Sequence, residues 1–284
     1  MENLNINSKV ILNNGLPMPV VGLGTYKVPE GEDVIREVQW ALNVGYRLID
    51  TAKVYKNEEG VGRAIRESGI PREEIFLTTK LWNPDQGYES ALQAIDESLG
   101  KLGLAYVDLY MVHWPTADVE AKATMNRREE TWKAMEEIYK SGKAKSIGVS
   151  NYTIKHLEEM KKYATVFPSV DQVEFHPYLY QRELLEYCKK NNIILEAYRP
   201  LTNGKRMDND TISTIAKKYN KTNAQVLIRW SLQHGCVPLP KSVHQDRVQE
   251  NINVFDFELT EDDMSMIDAL NENFRFSPDP NNLE

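Results

Sequence analysis

A short apolar run recurs eight times along this chain, and seven of the eight stop on a polar residue able to do chemistry. The first, Val20–Thr25, is followed by Arg47–Asp50, Ile75–Lys80, Leu109–His113, Ile147–Asn151, Val170–Gln172, Ile193–Tyr198 and Val237–Ser242. Stretches of helical periodicity separate them. The first of these, Glu32–Val44, puts Val34, Ile35, Val38, Ala41 and Leu42 on one stripe and stops at Gly45. Strands of four to eight residues alternating with helices are the pattern of parallel β/α units. Eight such units close into a (β/α)8 barrel, the TIM-barrel architecture, which typically uses about 250 residues as one domain. The C-terminal strand ends then share one face, and active sites are built there. The prediction is an α/β fold in which residues 1–284 form a single domain.

Ahead of the first barrel strand, Lys9–Leu12 and Leu16–Val20 flank Asn13-Asn14-Gly15. This reads as a hairpin built on an Asn-Gly turn and capping the barrel bottom. Further helices are expected near 57–68, 86–101, 127–141, 153–163, 181–191, 209–219, 222–234 and 261–270. Two longer irregular stretches, 115–127 and the tail from Asn271, are expected to wall a substrate pocket.

Charge and cysteine usage narrow the function. With 42 acidic against 34 basic residues, the net charge of −8 argues against a nucleic-acid partner, which requires a basic face. No apolar run approaches the roughly 20 residues needed to span a bilayer. The start, Met1-Glu2-Asn3, has no secretory pattern, and two cysteines, Cys188 and Cys236, suit a reducing, cytoplasmic setting. No His, Asp, Glu or Cys grouping has metal-ligand spacing, so no metal is expected. Gly22-Leu-Gly24 is only a fragment of a phosphate-binding glycine loop, and the element order is wrong for a doubly wound nucleotide fold.

An acid (Asp50), a lysine (Lys80) and a histidine (His113) end three successive strands, so a closed barrel brings them together. Tyr55 follows in the loop after Asp50. A tyrosine titrating near 10 is a poor acid at neutral pH, but a neighbouring ammonium favours its phenolate and lowers that value. Asp50 would hold Lys80 charged and aimed, and His113 would donate to a carbonyl oxygen. A tuned proton donor beside a polarising donor suits carbonyl reduction. No side chain donates hydride, so a nicotinamide cofactor is implied.

The motifs that carry these residues resemble the aldo-keto reductase family. They are Gly45–Glu58, Thr79-Lys80-Leu81-Trp82, Asp108–Pro115, Gly148–Asn151 and Pro240-Lys241-Ser242, in the family's order, and the likeness runs from about residue 9 to about residue 270. The length and short tail look most like bacterial reductases of small aldehydes and diketones, the 2,5-diketo-gluconate reductase type. The resemblance implies a catalytic tetrad of Asp50, Tyr55, Lys80 and His113, with NADPH as hydride source and Tyr55 as proton donor. It assigns Ser150, Asn151 and Gln172 to the nicotinamide carboxamide and Tyr198 to stacking on the ring. Gly24 and Thr25 join Asp50 beside the cofactor, and Leu201 and Val243 are further contacts along it. Lys241, Ser242 and Arg247 match the clamp on the 2′-phosphate, favouring NADPH, and Glu250 and Asn251 match the adenine pair. Tyr26, Trp82, His113 and Trp114 are expected to face the substrate, a small-molecule carbonyl compound. By family habit the protein is a monomer, and its other reading is an NADPH-binding regulatory or sensor barrel with weak catalysis.

Two positions depart from that pattern. Tyr152 follows Ser150-Asn151 where many relatives carry Phe, a change expected to matter little because the ring's packing role is kept. Arg199 stands where the family often has Ser, with three destinations open: cofactor pyrophosphate, an acidic substrate, or solvent. His156, His234 and His244 read as surface or structural residues without evident partners, His176 as packing support, and Trp40, Trp132 and Trp230 as core.

Overall fold

The computed structural model of the chain describes residues 4–116 and 125–283. Two short strands, β1 (Lys9–Ile11) and β2 (Pro17–Pro19), pair antiparallel. Eight parallel strands follow: β3 (Leu23–Gly24), β4 (Leu48–Asp50), β5 (Phe76–Leu81), β6 (Leu109–Val112), β7 (Ile147–Ser150), β8 (Val170–Glu174), β9 (Ile194–Tyr198) and β10 (Val237–Leu239), each hydrogen-bonded to the next in sequence order. The ends of this sheet meet. The Gly22 amide donates to the Pro238 carbonyl and the Gly24 amide to that of Pro240, both at 3.1 Å, and these bonds close the barrel. Glycine is required at the seam: a Cβ on Gly22 would sit 2.5–2.7 Å from the Leu48 and Leu239 side chains. The expected (β/α)8 barrel is the fold.

Strand alternation gives the interior a polarity gradient. Leu48, Phe76, Leu109, Met111, Val170, Val237 and Leu239 form one buried cluster with Leu12 and Met18 of the hairpin region. Period-two spacing then puts Asp50, Lys80, His113 and Gln172 on the same interior face, one or two layers higher. The hairpin supplies the floor: burying Met18 there stabilises the fold by roughly 1.5–3 kcal/mol. Its turn is not a two-residue Asn-Gly turn. Gly15 donates to the Leu12 carbonyl at 2.8 Å and itself takes φ 86°, so Asn13 and Asn14 are the central pair and Gly15 the bulge residue.

Ten helices lie among the described residues: α1 (Glu32–Asn43), α2 (Glu58–Glu67), α3 (Tyr88–Leu102), α4 (Met125–Ser141), α5 (Ile154–Met160), α6 (Arg182–Lys190), α7 (Asp210–Tyr219), α8 (Asn223–Gln233), α9 (Gln245–Ile252) and α10 (Glu261–Asp268). Their starts follow local chemistry. Asn209 accepts from the Thr211 and Ile212 amides ahead of α7, and capping boxes Thr222/Gln225 and Thr260/Asp263 open α8 and α10. Among the described residues no helix is long and apolar enough to cross a membrane. The stretch at 115–127 falls largely outside the described residues. The tail is tied down: the buried Glu174 carboxylate accepts the Phe276 amide at 2.7 Å and the Ser277 amide at 2.8 Å.

Candidate active site

The top of the barrel is organised by backbone bonds before any functional side chain enters. Thr25 binds the Asp50 carbonyl through both its amide (3.0 Å) and its hydroxyl (2.9 Å). Asn57 accepts from the Thr51 hydroxyl at 2.7 Å and donates to the Thr25 and Val28 carbonyls at 2.9 and 3.1 Å. This staple joins the loops after β3 and β4 and frames a one-turn 3-10 helix, Lys53–Tyr55, ended by Lys56 at φ 57°. Tyr55 is thereby aimed back over the strand ends.

The four tetrad candidates come together. The Lys80 ammonium is fully buried and donates to both Asp50 carboxylate oxygens, at 2.8 and 2.6 Å, to the Thr51 carbonyl at 3.0 Å, and to the Tyr55 hydroxyl at 3.4 Å. The His113 ring lies edge-on to Tyr55, centroids 5.8 Å apart, and to Trp82, 5.3 Å apart. Tyr26 adds a third aromatic 5.0 Å from Tyr55 and is itself exposed. Trp114 is half-buried at the end of β6, where its carbonyl accepts from Gln86 at 2.7 Å.

The electrostatics differ in one respect from the sequence expectation. Burial, followed by the charges of Asp50, Tyr26 and Glu196, pushes the Tyr55 phenol well above its ordinary value, against an opposing pull from Arg199. Burial outweighs the neighbouring cations, and Tyr55 is a protonated phenol at neutral pH. Burial and then Lys80 hold the His113 imidazole well below its ordinary value, so it is neutral, with Nδ1 buried and unpartnered.

The cofactor candidates form two groups. Near the barrel axis, the Asn151 amide donates to the His113 carbonyl at 2.9 Å and to Ser150 Oγ at 3.1 Å, and its Oδ1 accepts from the Tyr198 hydroxyl at 2.7 Å. Ser150 Oγ donates to the Gln172 carbonyl at 2.7 Å. Gln172 uses its amide nitrogen inward, on Asp50 at 2.8 Å and on Glu196 at 2.6 Å. Toward the rim, Lys241 is half-buried and Arg247 exposed, and neither makes an ion pair among the described residues. Buried Ser242 lies beside Lys241 and exposed Val243. Leu201 is half-buried after β9. A lysine next to a serine in sequence and an arginine on the following helix, neither in an ion pair among the described residues, have the chemistry to hold a phosphate group. Arg247, Glu250 and buried Asn251 sit on α9, a helix absent from the sequence expectation. Glu250 accepts from the Thr222 hydroxyl at 2.8 Å.

Arg199 is engaged within the chain and does not point to solvent. At φ 54° its guanidinium turns toward the C-terminal tail, donating to Ser277 Oγ at 2.7 Å and lying 3.6 Å from Glu174. Two histidines have partners the sequence did not reveal: His156 accepts the Thr153 amide at 3.1 Å, and His234 pairs with Asp268 at 2.8 Å. His176, paired with Glu174 at 2.9 Å, supports the tail anchor. Sequence reasoning missed Glu196. The signal was available, since a glutamate two residues before Tyr198 shares that residue's strand face.

A closed barrel whose upper interior holds a tyrosine, a buried Lys–Asp pair and a neutral histidine is the architecture of a carbonyl oxidoreductase. The Aldo/keto reductase family matches residues 20–272, and the chain belongs to it. A glyoxal reductase of Bacillus subtilis is 50% identical over 278 residues, covering 98% of each chain. A solved aldo-keto reductase from a Medee basin deep-sea metagenome library superposes with a TM-score of 0.90 at 46% identity, covering 95% of this chain and 97% of that one. A Bombyx mori aldo-keto reductase solved in complex with NADP gives 0.87 at 35% identity, covering 96% and 95%.

Proposed function

We propose that this protein reduces small aldehydes or dicarbonyl compounds to alcohols, with NADPH as reductant and Tyr55 as proton donor. The observation that carries the reading is the buried Lys80 ammonium, in contact with both Asp50 oxygens and 3.4 Å from the Tyr55 hydroxyl. When bound, the cofactor supplies hydride to the carbonyl carbon. The protein's own groups handle the oxygen. Neutral His113 orients it by donating a hydrogen bond, and Tyr55 gives up its proton as negative charge develops there. The phenolate left behind is stabilised by the Lys80 ammonium, 3.4 Å from the Tyr55 oxygen. Ser150, Asn151 and Gln172 are assigned to the nicotinamide carboxamide, Tyr198 to the ring, and Gly24, Thr25 and Leu201 to its surroundings. Lys241, Ser242, Val243 and Arg247 are assigned to the 2′-phosphate end, Glu250 and Asn251 to adenine. Tyr26, Trp82 and Trp114 wall an aromatic mouth suited to a small substrate, and the relative named glyoxal reductase supports that size class. The chain acts as one domain and, on this reading, as a monomer in a reducing cytoplasm, which the two free, buried cysteines suit.

Steady-state NADPH oxidation with glyoxal, methylglyoxal and an aromatic aldehyde tests the reading. Tyr55→Phe is expected to bind NADPH within about twofold of wild type and to lose at least 100-fold in kcat, the usual scale of a lost general acid. A Tyr55→Phe enzyme with near wild-type kcat overturns the mechanism, and equal kcat/KM with NADH overturns the phosphate assignment.

A further inference from the structure

One buried carboxyl group inside the barrel has no part in the reaction as described. Glu196 lies on β9 directly opposite Gln172 of β8, within the interior layer of the Asp50–Lys80 pair. The Gln172 amide nitrogen donates one hydrogen to Asp50 Oδ2 at 2.8 Å and the other to Glu196 Oε2 at 2.6 Å. Two carboxyl groups thus share one nitrogen in a dry interior. Lys80 is spent on Asp50, touching both its oxygens. Among the described residues Glu196 has no cation in contact, and its Oε1 is buried without a partner. An ionised carboxylate so placed meets a like charge and an unsatisfied oxygen together, so the neutral acid is the favoured form. We propose that Glu196 is a positioning residue of the reduction, working as a neutral acid: it fixes the Gln172 amide with its oxygen toward the cofactor, and it keeps a second negative charge away from Tyr55.

The first half is hydrogen-bond accounting. A glutamine amide has two donors and one acceptor oxygen. With both donors committed inward, Oε1 is the end left for the N–H of a nicotinamide carboxamide. Without Glu196, one donor loses its partner and the flipped amide becomes accessible. The second half is electrostatic. The charged or titratable groups that act on Glu196 are Asp50 from β4 and Lys80 from β5, and Glu196 in turn acts on Tyr55; across β10 its register partner is the apolar Val237. Burial, then Asp50, pushes Glu196 up to about 8, so it ionises at alkaline pH and then opposes formation of the Tyr55 phenolate. Reduction is supported below that value and lost as pH rises through it.

The inference rests on the proposed reductase reading, and its test separates the two. Wild type, Glu196→Gln and Glu196→Leu are assayed from pH 6 to 9.5 for kcat/KM of the carbonyl substrate at saturating NADPH, so that pH effects on cofactor binding drop out. Cofactor Kd is measured by fluorescence quenching, and far-UV circular dichroism checks folding. Glu196→Gln keeps an acceptor and cannot ionise, so it should bind NADPH within about twofold of wild type while losing the alkaline fall near pH 8. Glu196→Leu should raise the Kd about tenfold, the cost of one lost charge-free hydrogen bond and a freed amide. A Glu196→Gln enzyme that keeps the wild-type alkaline fall, or a folded Glu196→Leu enzyme with unchanged Kd, overturns the proposal. A wild-type protein that reduces no aldehyde with NADPH overturns instead the reading beneath it.

Discussion

Removing the Lys80 ammonium should destabilise the barrel by stranding the charge it faces. Lys80 is fully buried and Asp50 nearly so, 2.6 Å apart. Lys80→Met leaves the carboxylate in the interior with only the Gln172 amide at 2.8 Å to satisfy it. Breaking one half of a buried pair costs about 3–5 kcal/mol because the other charge is left uncompensated. For a chain of this size, about 2–4 °C of melting temperature per kcal/mol makes this a drop of roughly 6–20 °C. Thermal melts of wild type and Lys80→Met at pH 8 should show that gap. Asp50→Asn/Lys80→Met, which has neither charge, should recover much of the loss. A single variant within about 2 °C of wild type at pH 8, or a double variant no more stable than the single, refutes the argument.

Two further outcomes follow from other parts of the structure. Glu37 on α1 is buried, and burial pushes it up to about 8 against the opposing pulls of Lys241 and a Ser242 backbone hydrogen bond. The folded state holds that proton more tightly than the unfolded chain, so stability is lost as pH rises from about 4.5 to about 8, by on the order of 5 kcal/mol at most; Glu37→Leu should melt above wild type at pH 9 and draw level near pH 5, and parallel melting curves across that range would contradict this. Arg199→Ala should loosen the tail, because Arg199 bonds Ser277 and backs Glu174. Faster hydrogen exchange at the Phe276 and Ser277 amides with little change in the barrel strands is the expected signature, and unchanged protection there would remove the tail-anchor assignment.

The strand pattern made most of the architecture legible. Each barrel strand lies inside or within a few residues of the apolar run that announced it, and the polar residue closing the run marks the barrel's upper face. Local chemistry explains why. A period-two run ending on a charged group tells where a strand surfaces, and that requires no knowledge of its neighbours. What escaped was set by distant contacts. The helix Gln245–Ile252 has only Val248 and Ile252 as buried apolar residues, too few for a periodic signal before its packing on α1 and α8 is known. The direction of the Tyr55 shift escaped because burial, its largest cause, is set by the folded surroundings and not by the neighbouring motif. Arg199 could not be placed while the tail was an unstructured string; its partners Glu174 and Ser277 lie on either side of it in sequence and meet only when the tail folds back.

The seam between Gly22–Gly24 and Pro238–Pro240 has a consequence for the order in which the protein can be built. The strand that starts the barrel is made early on the ribosome, yet its second neighbour is among the last strands to emerge. Through most of synthesis, β3 has one paired edge and one open edge. An open edge offers its amides and carbonyls to any passing strand. Here the exposed strand is two residues long, Leu23–Gly24, too short to template another chain. The closure that completes the ring thus depends on the smallest strand in the sheet, and the same brevity protects the nascent chain until its last partner arrives.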